Sequence, residues 1–316
     1  MPLKTASTQQ FENIPASVDL LLCACGYESR AIHVASRAST LARRKLAFGF
    51  DSQHELYYEQ NKAWFQSQGF VVRDVSDTEF DLHIQQAISD ACVATATPMV
   101  VVDVSCMNRV RLAHLVNALN SSTANVIDVM FAYNLAEYSA PSLDEAPTSV
   151  AEPVIPEFAG WTTYPERPPA ALIGLGYEQS RAIGIVDHLE INNAAWAFIP
   201  RGPIDEYSTS VDTANQSLFD MIHVDGRKIL YDVMNPASLF REVNSLVELL
   251  KQIYNPILIP FGPKIFALVS LLVASLHGEV GVWRVSSGTM GKATERAASS
   301  YTTVLRTTFQ RDAERT

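Results

Sequence analysis

A segment written twice sets the strongest limit on what this chain can fold into. Val18-Asp-Leu-Leu-Leu-Cys-Ala-Cys-Gly-Tyr-Glu-Ser-Arg-Ala-Ile32 corresponds to Ala170-Ala-Leu-Ile-Gly-Leu-Gly-Tyr-Glu-Gln-Ser-Arg-Ala-Ile183. Each copy is an apolar run, then Gly-Tyr-Glu, then Arg-Ala-Ile, with one extra residue before the arginine in the second. The spacing holds downstream. Phe48, in the run Lys45 to Phe50, lies 22 residues after Gly26, and Phe198, in the run Trp196 to Ile199, lies 22 residues after Gly176. Farther on, the apolar run Pro98 to Ser105 leads through Cys-Met-Asn-Arg109 into a helical pattern, Leu112, Leu115, Val116 and Leu119. Its counterpart is Asn255 to Gly262, then Pro-Lys264, then an apolar helix through Leu276. A last apolar run closes each copy, Val126 to Tyr133 and Val280 to Ser286.

A repeat of this kind must be read before any single element, because it decides the architecture. Between the apolar runs lie amphipathic stretches, Glu55 to Gln68, Phe80 to Ala94 and Leu239 to Tyr254, the last with apolar residues at helical spacing. Strand alternating with helix is the rhythm of a parallel sheet covered on both faces. The expected fold class is α/β, as two tandem Rossmann-like units with parallel, doubly wound sheets. The first unit is expected over residues 1–135 and the second over 168–316, with a polar C-terminal tail that frays from Gln310. Residues 136–167 read as a proline-rich linker or arm. Within it, Val154 to Trp161 has the character of an edge strand. The length of 316 residues agrees with two domains at about 150 residues each.

Composition removes several classes of function. The formal net charge is −10, which argues against a broad basic surface that coats nucleic acid. Apolar residues make up 47% and charged residues 18%, too apolar for a disordered chain. The start, MPLKTASTQQ, shows neither a signal peptide nor a lipidation motif, so a cytoplasmic location is the expectation. The longest apolar run, Ile265 to Leu276, is shorter than the roughly 20 residues of a membrane span, and no membrane association is expected. The four cysteines have no CxxC spacing and read as reduced core thiols. The seven histidines show no HExxH pattern, so neither a metal nor a cofactor is expected.

In an open parallel sheet, ligands bind beyond the carboxyl ends of the strands, where the winding direction reverses. The repeated residues fall there. Gly26, Tyr27, Glu28 and Arg30 follow the first strand of the repeat, and Ser105 and Arg109 follow the fourth. The second copy sets Gly176, Tyr177, Glu178 and Arg181 against Gly262 and Lys264. A glycine at a strand end lets backbone approach a ligand closely, and the next helix offers free amides and a partial positive charge. Arginine adds forked donors suited to phosphate. Tyr27 and Tyr177 have rings that can stack on a base or ribose. Asp51 ends the second strand, where an acidic residue commonly reaches a ribose, and Arg201 stands near that position in the second copy. Glu28 and Glu178 fit three roles: bonding a hydroxyl or amine, pairing with Arg30 and Arg181, or acting as a catalytic acid or base. A purely structural reading also fits, with Tyr packed under the helix, Glu in its first turn and Arg paired to it.

No GxSxG, Walker or GxGxxG motif is present, and Gly174-Leu-Gly176 lacks the third glycine of a dinucleotide fingerprint. Ser286-Ser-Gly-Thr-Met-Gly-Lys292 reads as a surface turn, with lining the second site as the alternative.

Tandem units in which a cation opens the helix after the fourth strand, as in Asp103-Val-Ser-Cys-Met-Asn-Arg109 and Pro260-Phe-Gly-Pro-Lys264, resemble CARF (CRISPR-associated Rossmann fold) domains and their fused relatives, the SAVED domains. The resemblance covers roughly 250 residues. A Gly-Thr-Lys-like turn common in those families is absent from the first copy and partly echoed by Gly262-Pro-Lys264. The resemblance implies a sensor of cyclic oligonucleotides in prokaryotic defence or signalling, bound between two pseudo-symmetric units. It also implies an effector, which would be a separate protein here.

The leading expectation is a nucleotide-binding protein, its partner a nucleotide or other phosphate-bearing small ligand held at the carboxyl strand ends. A homodimer is compatible with it. The alternatives are a nucleotide-processing hydrolase, either an N-glycosidase or a ring-nuclease-like phosphodiesterase with Glu28 or Glu178 as acid/base, and an interaction subunit with vestigial sites.

Overall fold

The computed structural model describes residues 1–141, 150–160, 164–177, 181–191, 194–222, 224–286 and 293–311. The chain forms two compact units, each an α/β sheet of mostly parallel strands with helices between them. One unit comprises Met1–Glu137 with Lys292–Thr316, and the other Tyr138–Gly291.

Unit 1 runs β1 (Leu3–Gln9), β2 (Val18–Cys25), α1 (His33–Ala38), β3 (Ala42–Phe50), α2 (Tyr58–Ser67), β4 (Val71–Val75), α3 (Asp77–Ala94), β5 (Met99–Asp103), α4 (Arg109–Ser121) and β6 (Val126–Ala136). Its parallel strands lie in the order β6-β5-β2-β3-β4, so the winding reverses between β2 and β5. That is the geometry expected of the first and fourth strands of the repeat. β2 and β5 are buried on both faces, which explains why they read as unbroken apolar runs. Local signals start the helices: Ser76 and Glu79 form a reciprocal capping box on α3, and Asn108 caps α4.

Unit 2 runs β7 (Val150–Pro153), β8 (Pro169–Gly174), α5 (Arg181–His188), β9 (Ala195–Arg201), α6 (Asp205–Ala214), α7 (Gln216–Met221), β10 (Lys228–Asp232), α8 (Pro236–Leu250), β11 (Asn255–Pro260), α9 (Lys264–Ala274) and β12 (Gly281–Ser286). The order β10-β9-β8-β11-β12 repeats that of unit 1, strand for strand. Among the described residues no helix is long and apolar enough to cross a membrane. The run from Ile265 is instead the fully buried body of α9.

The structure differs from the sequence reading at the edges. The C-terminal strand β13 (Ala298–Gln310) lies antiparallel between β6 and β1 in the sheet of unit 1, not in the second unit as expected for 168–316. Over its second half, from Leu305 to Gln310, buried and solvent-facing positions alternate in the pattern of an antiparallel strand, and the duplication offered no counterpart to point it out. The edge strand of unit 2 is Val150–Pro153, paired with β12, whereas Pro156–Phe158 within the expected strand Val154 to Trp161 is a single 3₁₀ turn. Pro156 has no amide hydrogen to give a ladder, and its fixed φ suits the first turn of a helix. The expected linker and tail fall partly outside the described residues, at 142–149, 161–163 and 312–316, as does most of Ser286 to Lys292.

At the opposite end of unit 2, His277 is buried beside Lys251, 3.3 Å from its Nδ1, with Asn244 Oδ1 2.9 Å from its Nε2 and Glu248 at 3.6 Å. Burial and then the Lys251 charge hold its imidazole below its ordinary value, with Glu248 and Glu279 opposing. The unfolded chain therefore takes up the proton first on acidification. Stability from this group is complete above about pH 6.5 and falls below it. Denaturant titrations at pH 7.5 and 5.5 are expected to show a smaller pH-dependent loss for His277→Gln than for the parent; equal losses would contradict this.

Candidate functional site

In unit 1 the turn leaving β2 and the loop leaving β5 touch. A Cβ on Gly26 would lie 3.3 Å from Cys106 Cβ, so the glycine admits this approach. Glu28 and Arg30 are both buried and face one another, Arg30 Nε donating to Glu28 Oε2 at 2.5 Å. Arg30 Nη1 also donates to the Asn134 carbonyl at 2.9 Å, and Cys106 Sγ donates to Glu28 Oε2 at 3.5 Å. Glu28 raises the Arg30 guanidinium further above its ordinary value, against the opposing effect of burial. Of the three roles open to Glu28, the pairing with Arg30 is present in this geometry.

Ser105 is fully buried; its Oγ accepts from the Asn134 amide at 2.9 Å and its own amide donates to Asp103 Oδ1. Asn134 Nδ2 in turn donates to Ser299 O, Tyr301 O and Thr302 Oγ1, stitching the irregular start of β13 to β6. Tyr27 is half-buried against the core, its phenol held above its ordinary value by burial and by Glu28. Arg109 is the first residue of α4 and half-exposed, while Asp51 is exposed just past β3 with Ser52 Oγ at 3.3 Å.

Unit 2 repeats the frame with different side chains. Gly176 is buried, and Tyr177 packs on the core and stacks on Tyr207 at 5.6 Å. Tyr138 meets Tyr207 edge-on at 5.2 Å and bonds Ser210 through its hydroxyl at 2.8 Å. Phe261 and Gly262 both donate their amides to Gly174 O. Lys264 opens α9, half-exposed, after Pro263, and no side chain caps that helix. Arg181 opens α5, half-exposed. Glu178 lies outside the described residues. Arg201, near the position of Asp51, is held by both carboxylate oxygens of Asp212, at 2.8 and 2.9 Å.

Two features escaped the sequence reading. Asn61, buried in α2, donates to the carbonyls of Gly26 and Glu28 at 2.9 Å, and Asn215, buried between α6 and α7, donates to Gly176 O at 2.8 Å. Each copy thus fixes its glycine turn with a buried asparagine from the following crossover, 35 residues on in one and 39 in the other, so a gap-free alignment does not superimpose them. The second feature is Arg111, which is fully buried and ties α4 to the ends of β3 and β4. It reads in sequence as one more charge on a helix.

Among the described residues no group of three or more His, Cys, Asp or Glu is placed to hold a metal. No family model and no curated protein matches the chain.

Proposed function

We propose that the chain binds a phosphate-bearing small ligand of the nucleotide class at the carboxyl ends of its parallel strands. One observation carries this reading: both units have a glycine turn, braced by a buried asparagine, next to the strand whose helix begins with a cation, Arg109 in one and Lys264 in the other. A parallel sheet leaves its ligand crevice at that reversal, and a cation at a helix start favours an anion there. Unit 2 is the stronger candidate, because α9 has no side-chain cap and three tyrosine rings gather beside the Gly176 turn. The CARF and SAVED resemblance makes cyclic oligonucleotides the leading subclass, with a sensor's role in defence or signalling.

Thermal unfolding of the full chain against mononucleotides, dinucleotides and cyclic di-, tri- and tetranucleotides tests this. A true ligand at a hundredfold excess over its Kd stabilises the native state by about 2.7 kcal/mol. Lys264→Ala is expected to remove that stabilisation and Arg109→Ala to weaken it, each with the unliganded melting temperature unchanged. No shift with any member of the panel would overturn the reading and favour an interaction subunit. Product found by chromatography after incubation would instead establish turnover.

A further inference from the structure

The turn that unit 1 presents at its crevice already holds a carboxylate, from the chain itself. Before β13 begins, residues 293–297 cross the Gly26–Arg30 turn. Both Glu295 carboxylate oxygens accept from the Ser29 amide at 3.2 Å, and Oε1 also accepts from Ser29 Oγ. The crossing is anchored on both sides of Glu295, by buried Ala293 and by the Glu137 amide donating to Ala297 O at 2.9 Å. Arg296, Cys106, Glu28 and Arg30 all act electrostatically on the Tyr27 phenol, so the crossing segment and the buried cluster share one neighbourhood. Tyr133 gives the same result from β6, where Arg30, Arg296 and Glu28 all act on its hydroxyl.

We propose that residues 293–297 are an internal latch over the unit 1 crevice, with the Glu295 carboxylate occupying the Ser29 donors that an anionic ligand group would otherwise meet. This rests on the nucleotide reading for what the crevice would admit, but the latch itself is tested without a ligand. Closed, it seats the Glu295 carboxylate on the Ser29 donors, within the turn that carries Glu28 and Arg30, and that one carboxylate repels an incoming phosphate. Open, it releases the turn against which Cys106 packs, the thiol lying against both Gly26 and Glu28. The two copies then differ in kind: unit 1 must displace a resident anion before it takes another.

Cys106 supplies the readout. It is buried at 9% exposure, and Cys23 and Cys25 are fully buried, so the one background thiol to remove is half-exposed Cys92, by Cys92→Ser. In that background a maleimide is expected to label Cys106 at least tenfold faster in Glu295→Ala than in the parent, because labelling follows local opening. Glu295→Gln keeps an acceptor but loses the charge-assisted bond, and an intermediate rate is expected. Ser29→Ala retains one amide donor and is also expected to fall between. Labelling of Cys23, followed by peptide mapping, should stay at the parent's rate in all three. Equal Cys106 rates in parent and Glu295→Ala would overturn the latch, and so would parallel rises at Cys106 and Cys23, which signal general unfolding. A nucleotide panel without stabilisation in either protein would overturn the nucleotide reading alone, and the labelling ratio would still decide the latch.

Discussion

Arg111→Met is expected to destabilise unit 1 by about 3–5 kcal/mol, because it strips a buried donor from three backbone carbonyls at about 1–3 kcal/mol each. The guanidinium is fully buried. Its Nε donates to Asp77 Oδ1 at 2.8 Å, Nη1 to the carbonyls of Phe48 and Gly49 at 3.2 and 3.0 Å, and Nη2 to Val75 O at 2.6 Å. Its plane also lies 3.8 Å from the Phe50 ring centroid. Methionine reaches only as far as the position of Nε, so it leaves the space of the guanidinium head unfilled and three carbonyls at the ends of β3 and β4 without this donor. Lysine offers a compact charge where a planar fork is needed, so Arg111→Lys is expected to recover only part of the loss. Chemical denaturation of the full chain gives the comparison. A change under about 1 kcal/mol for Arg111→Met, the level of an ordinary surface substitution or exposed ion pair, would refute the network's importance.

The second large effect is expected at Gly262. A Cβ there would stand 2.0 Å from Leu175 O and 2.8 Å from Leu175 C, and both of those are backbone. No rotamer change relieves the clash, so the loop after β11 or the exit of β8 must move. Gly262→Ala is expected to cost about 3 kcal/mol or more, above the usual range for a point substitution. The displaced backbone also starts α9, so the variant is expected to lose ligand-dependent stabilisation even under conditions where it remains folded. Gly278→Ala, with open space around the added methyl, is the control and should behave like the parent. Equal melting temperatures for the two variants would show that the β8 and β11 exits are pliable.

The sheet order was legible because duplication supplied two readings of each central strand. Val18 to Cys25 and Pro169 to Gly174 are buried on both faces, so hydrophobicity alone marked them. Strands β4, β10 and β13 carry exposed charges and hydroxyls, and a search for unbroken apolar runs passes over them. At the site, the Gly-Tyr-Glu turn and the helix-opening cations were visible as recurrences. What they touch was not: Glu28 with Arg30 is two residues apart, but Asn134 and Glu295 reach the same turn from positions over 100 residues away. Contacts of that separation leave no local periodicity in the sequence.

The place of β13 also sets an order of events during synthesis. Thr308 meets Asp128 across a separation of 180 residues, and every other pairing of β13 with β6 is similarly distant. The ribosome releases all of Tyr138–Gly291, a continuous and self-contained sheet, before the strand that completes unit 1 exists. Until then β6 has an open side, with the unpaired amides and carbonyls that invite pairing with another chain. Assembly of unit 1 is thus expected to be slow and sensitive to concentration, in the manner of long-range β pairing. Expression of residues 138–291 alone should be forgiving, whereas residues 1–137 alone should aggregate unless the C-terminal strand is supplied alongside.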